Sequence, residues 1–189
     1  MRHALATSWL PRKLVHISGA AFAFLALFSR QLSLLIVMAG IITFFTLEAL
    51  RRRADLPFVS ALYRDSERKS IALEPLLYLL CIAMLLAMSM VFDRGACLTA
   101  IIVLTVGDGL AGIAGRAFGR HRLPQGKKTW EGSISGFIAA SAVGFLFAGP
   151  LAIAGAAAGM AAEAYSRRLE NLSVAAASFL TMAILSLLL

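Results

Sequence analysis

Asp108 follows Gly107 at the end of the uncharged run Ala96–Val106. A lone carboxylate at membrane depth is costly enough to imply a function or a partner. Gly109, Gly112, Gly115 and Gly119 come next, and then the basic loop Gly126-Lys127-Lys128-Thr129-Trp130-Glu131-Gly132. Carboxylate oxygens suit Mg²⁺, and glycine-rich backbone beside lysines suits phosphate. Together these residues point to metal-assisted chemistry on a phosphorylated molecule at a membrane surface. The loop is not a P-loop. A Walker A motif needs Gly where His121 stands and Ser or Thr where Lys128 stands. Lys127, Lys128 and the Thr129 hydroxyl still suit phosphates as point charges and a donor.

Other residues extend this set. Arg12 and His16 share a helical face at i, i+4, with Lys13 beside them. Arg12 and Lys13 suit a phosphate or an anionic headgroup, whereas His16 suits hydrogen bonding or proton acceptance. Gly155, Gly159 and Glu163 share another face, Glu170 nearly returns to it, and Asn171 opens the last span. Glu163 and Glu170 either complete a metal or nucleotide site with Asp108 or pair with Arg167 and Arg168. The glycines have a second explanation, since small residues let membrane helices pack closely; Gly155 and Gly159 serve self-association into a homodimer as readily as internal packing. Trp130 suits an interfacial anchor. Cys81 and Cys97 lack metal-ligand spacing and read as small core residues.

The chain that positions these groups has 189 residues, is 60% hydrophobic and 15% charged, and has a mean hydropathy of +0.83. That composition implies an all-α, polytopic integral membrane protein, a single membrane-embedded domain over residues 1–189. Seven spans are expected: Leu14–Ser29, Leu32–Leu50, Ile71–Phe92, Ala96–Phe118, Ser133–Ala148, Leu151–Tyr165 and Leu172–Leu189. Gly149-Pro150 permits a tight reversal between the fifth and sixth, and Glu74-Pro75 suits a helix start. The first apolar run holds His16 and no clean cleavage site before Arg30, so it reads as a retained span. The segment Arg51–Ser70 reads either as an interfacial helix on the headgroups or as a solvated basic loop.

The net charge of +8 reports topology and contact with anionic lipid, not nucleic acid. With the N-terminus cytoplasmic, every Lys and Arg except Arg30 and Arg94 falls on the cytoplasmic side. Among the acids only Asp93 falls outside. The chemistry is therefore expected at the cytoplasmic face of the cell membrane. A continuous helix puts Asp108 roughly 18 Å from the outer end. Gly107 and Gly109 beside it are suited to breaking that helix and exposing carbonyls to a cavity.

Arg12-Lys13-Leu14-Val15-His16, the Gly107–Gly119 segment, the Gly126–Gly132 loop and Glu170-Asn171-Leu172 resemble the CTP-dependent lipid kinases: dolichol or polyprenol kinases, phytol kinases and CTP-using diacylglycerol kinases. The resemblance runs in order from the first span to the last. It implies transfer of the CTP γ-phosphoryl group to a membrane lipid alcohol with Mg²⁺. It makes Asp108, Lys127, Lys128 and Glu131 nucleotide-site residues and Arg12 and Lys13 essential, with His16 a further catalytic candidate. The nucleotide-binding set extends to Gly107, Gly109, Gly112, Gly115, Arg116, Gly119, Gly126, Thr129, Gly132 and Asn171. The metal set is Asp108, Glu131, Glu163 and Glu170. One departure is that Ser173-Val174-Ala175 follows Glu170-Asn171-Leu172 where phytol and dolichol kinases often carry a fuller acidic cluster and a proline. The central block also resembles CDP-diacylglycerol synthases, which usually carry a His-Gly-Gly segment; here the histidines are His3, His16 and His121. A cytidylyltransferase is therefore the second expectation, and a non-enzymatic small membrane transporter with acidic residues along its path is the third.

Overall fold

The computed structural model describes residues 9–53, 73–124, 128–166 and 169–188. The described chain is built of helices. They are α1 (Trp9–Ser18), α2 (Ala20–Phe28), α3 (Arg30–Arg53), α4 (Leu73–Met88), α5 (Arg94–Ile102), a π turn (Val103–Gly107), α6 (Asp108–Phe118), α7 (Trp130–Ala148), α8 (Leu151–Tyr165) and α9 (Glu170–Leu188). The fold is thus all-α and polytopic. Four helical stretches are long and apolar enough to cross a membrane: Arg30–Leu50, Arg94–Phe118, Trp130–Ala148 and Glu170–Leu188. Leu73–Met88 and Leu151–Tyr165 are shorter apolar helices. The expected first span is divided at Gly19 into α1 and α2. Of the Arg51–Ser70 segment, α3 carries helix through Arg53 and the remainder lies outside the described residues.

The rod made of α5, the π turn and α6 is the axis of the bundle. It is 83% buried, against 22–28% for the other three long helices. Those helices turn Leu35, Ile42, Ile138, Leu146 and Leu180 outward, as helices bathed in hydrocarbon do. Lipid gives helices no hydrophobic reason to associate, so close packing of small residues must hold them. Gly136 of α7 meets the axis backbone directly: a Cβ there would lie 2.5 Å from the Gly107 carbonyl oxygen. Gly155 packs against Met182, and Gly159 against Val103. Both α8 glycines are therefore used inside the bundle.

Local chemistry sets the joints. Asp93 caps α5 by accepting from the Ala96 N–H at 2.6 Å. The Gly149-Pro150 reversal joins α7 to α8, with Gly149 at a φ of 55° that favours glycine. Thr129 caps α7, its hydroxyl accepting from the Gly132 N–H at 3.3 Å. The expected break at Gly107 and Gly109 does not occur. The axis stays helical and widens instead: the Asp108 N–H bonds back to the carbonyls of Val103 and Thr105. Gly109 sits against Ile17, so its missing side chain admits α1 rather than breaking the helix.

Candidate functional site

Asp108 emerges directly after the π turn, only 6% exposed. Two residues of α1, one turn apart, reach it. Lys13 Nζ lies 2.8 Å from Asp108 Oδ2 and donates to the Asp108 carbonyl at 3.2 Å. His16 Nε2 lies 3.0 Å from the same Oδ2 and 2.9 Å from the Leu104 carbonyl oxygen. The Lys13 side chain passes over Gly112, where a Cβ would stand 2.5 Å from its Cε. Gly112 is thus what lets the ammonium reach the carboxylate.

A second lysine organises the other acids. Lys128 precedes the α7 cap and lies 2.5 Å from Glu163 Oε1 and 2.6 Å from Glu170 Oε1. It also donates to the Glu163 carbonyl at 2.6 Å, near the C-terminus of α8, where a cation is favoured. Burial opposes its charge, but Glu163 and Glu170 outweigh burial and raise the Lys128 pKa. Ser133 Oγ reaches Glu163 Oε2 at 3.4 Å. Glu170 opens α9, where the helix dipole favours a negative charge. Immediately before it Leu169 holds a φ of 54°, strained for a residue with a Cβ, and the chain turns there into α9.

The three carboxylates meet. Asp108, Glu163 and Glu170, from three different helices, each offer an oxygen within 4.8 Å of the others. These are hard oxygen donors, the chemistry that Mg²⁺ takes. Buried ion pairs of this kind add little net stability, because desolvation offsets the attraction. Their presence inside an apolar bundle therefore calls for a function.

The remaining expected site residues divide. Asn171 donates to the Glu74 carbonyl at 3.1 Å, tying α9 to the first turn of α4. Arg12 is half-buried on α1, and Arg116 lies in the last turn of α6. Gly126 and Lys127 lie outside the described residues. Glu131 stands apart from the acidic cluster. Its Oε1 is 2.7 Å from His121 Nδ1 and accepts from the His121 N–H at 3.1 Å. The loop explains this: Leu123 is buried, its N–H bonded to the Lys128 carbonyl at 2.8 Å, and that folds His121 back onto Glu131. The glycines expected at a nucleotide sit at helix contacts. Gly107 faces Met160 and Ala140, Gly115 and Gly119 face Thr129, and Gly132 faces the Ala111 carbonyl. Gly109, Gly112 and Gly115 lie within α6, where main-chain N–H groups are bonded along the helix, so these glycines form no open cradle of donors.

Two residues escaped the sequence reading. The Tyr78 hydroxyl donates to the His16 carbonyl at 2.5 Å, and its ring lies 4.2 Å from the imidazole. Gly19 makes room for it, since a Cβ there would collide with the Tyr78 hydroxyl. The available signals were a phenol in an apolar run and a glycine interrupting the first span.

The profile described as the cytidylyltransferase family matches residues 14–189. A protein of Triticum aestivum named "Probable phytol kinase, chloroplastic" is 32% identical over 140 residues, 68% of this chain. The chain spans about half the length of that curated relative, 45% of it being aligned. No solved structure matches.

Proposed function

The chain belongs to the cytidylyltransferase family, and from that premise we propose that it is a CTP-dependent lipid kinase. In this reading it moves the γ-phosphoryl group of CTP to the hydroxyl of a membrane lipid alcohol, a phytol-like prenol, polyprenol, dolichol or diacylglycerol. One observation carries the reading: three carboxylates of three helices converge with Lys13 and Lys128 at one end of an apolar bundle. The likeness to a named phytol kinase supports the lipid acceptor. The expected charge bias supports a cytoplasmic site.

Phosphoryl transfer needs positioning and charge stabilisation more than covalent chemistry by the protein. Mg²⁺ held by Asp108, Glu163 and Glu170 would neutralise charge on the triphosphate. Lys128 is anchored by two carboxylates and a carbonyl, so its positive charge is held beside the acidic cluster, where it would act on the triphosphate through its field. Lys127 and Arg12 complete the anion-binding set. The lipid oxygen forms a bond to the γ-phosphorus as the bond to the β–γ bridging oxygen breaks. CDP leaves, and the hydroxyl proton passes to a site carboxylate.

The family's own description favours a second reading, cytidylyl transfer to a phosphorylated lipid. The two differ in the bond broken. Protein in lipid vesicles with Mg²⁺ and a prenol is given CTP labelled at the α or the γ phosphorus. The kinase reading predicts γ label in a lipid monophosphate and α label in CDP. With a lipid phosphate as acceptor, α label in a CDP-lipid and γ label in pyrophosphate would establish the transferase instead.

A further inference from the structure

We propose that His16 is a positioning residue: it fixes Asp108 through an Nε2–H donor, and Tyr78 holds it in that role. Nε2 lies 2.9 Å from the Leu104 carbonyl oxygen and 3.0 Å from Asp108 Oδ2. A carbonyl and a carboxylate oxygen only accept, so the hydrogen sits on Nε2 in either charge state of the ring. A nitrogen already donating to two oxygens does not accept a proton from a lipid hydroxyl.

What it does instead follows from where those oxygens lie. Leu104 belongs to the π turn, and Asp108 is the first residue after it. π turns are rare and unsettle the helical hydrogen-bond ladder. One imidazole N–H joins a carbonyl inside this turn to the side chain just beyond it, and so fixes the carboxylate relative to the widened backbone. The bonds from Lys13 and His16 both land on Oδ2; Oδ1 takes neither. His16 is itself fixed from the opposite side. The Tyr78 hydroxyl takes its main-chain carbonyl, and the phenol ring lies against the imidazole at 34°. That carbonyl stands at the α1–α2 joint, where the Gly19 N–H also bonds it at 3.2 Å. Side chains that orient a catalytic carboxylate commonly matter nearly as much as the carboxylate.

The activity arm of the test rests on the lipid kinase reading; the stability arm does not. Glutamine presents an N–H close to where Nε2 stands but has no imidazole. With CTP, Mg²⁺ and a prenol in vesicles, His16→Ala lowers kcat ~10–100-fold with little change in the KM for CTP. His16→Gln recovers to within about 3-fold of the unaltered protein, and Tyr78→Phe loses about 3–10-fold. If His16→Gln is as inactive as His16→Ala, the ring itself does chemistry and the proposal is overturned. The second arm is a thermal double-mutant cycle. His16→Ala lowers Tm by about 2–4 °C in the unaltered protein and by less in Asp108→Ala. Strictly additive shifts would mean that the contact with Asp108 carries no energy, which also overturns the proposal. Absence of turnover in the unaltered protein would defeat the kinase reading alone, and the thermal cycle would still decide the role of His16.

Discussion

The two ends of the bundle use charge in opposite ways. At one end Arg94 donates to the carbonyls of Ala26 and Leu27 at 2.7 Å, closing the last turn of α2. Arg30 donates to the Ser89 carbonyl just beyond α4 at 2.5 Å, and Asp93 caps α5. These charges satisfy main-chain groups that a helix end leaves open. At the other end Lys13 and Lys128 each bond one main-chain carbonyl as well, but their remaining bonds go to Asp108, Glu163 and Glu170. Charge that completes a helix is explained by the fold. Charge gathered against charge inside apolar surroundings is not, and it marks where function was retained at the expense of easy folding.

The contrast breaks most sharply if the two ends respond alike to mutation. Glu163→Gln removes a site carboxylate and is expected to lower kcat/KM ~10²–10³-fold while leaving helix content unchanged. Circular dichroism beside turnover checks it. Gly112→Ala is expected to separate the two effects at a single position. The added methyl displaces Lys13, lowering turnover ~10-fold, while helix propensity alone favours Ala over Gly by about 1 kcal/mol. Activity lost without a fall in Tm is the signature. Arg94→Met at the far end leaves two carbonyls without their donor and costs about 2 kcal/mol. Turnover per folded molecule is unchanged there, and a drop comparable with Glu163→Gln would dissolve the distinction. The smallest effect is in pH. The pKa of Lys128 is raised by Glu163 and Glu170 against burial, so its contribution is fully present below the unfolded lysine value of about 10.4. It is lost as pH rises through the higher folded value. The part of the Tm difference between the unaltered protein and Lys128→Met that comes from the lysine charge should therefore shrink as pH rises above about 10.4.

The proposed site was more legible than its supports. Asp108, Glu163 and Lys13 stand out because ionisable residues in apolar runs need partners, and Glu170 because it falls near the Glu163 face. The Gly149-Pro150 reversal and the helical character of the apolar runs were equally plain. What escaped depends on tertiary geometry. Composition does not announce a π turn, since Val103–Gly107 reads as ordinary apolar helix. The glycines of α6 suggested phosphate because their spacing suits both uses, and only the path of Lys13 and Ile17 over Gly112 and Gly109 reveals the close packing. Glu131 drew attention through its neighbours Lys127 and Lys128. Its partner in the structure, His121, is brought back by the burial of Leu123, a long-range effect with no sequence periodicity.

The central claim is that the Asp108 end performs CTP-dependent phosphoryl transfer to a lipid. The most direct measurement gives γ-labelled CTP and Mg²⁺ to vesicles holding a prenol and either the unaltered protein or Asp108→Asn of matched thermal stability. Label should enter the lipid with the unaltered protein and fall at least ~10²-fold with the variant. Equal labelling by both proteins, or none by the unaltered one across the lipid alcohols, would contradict the account.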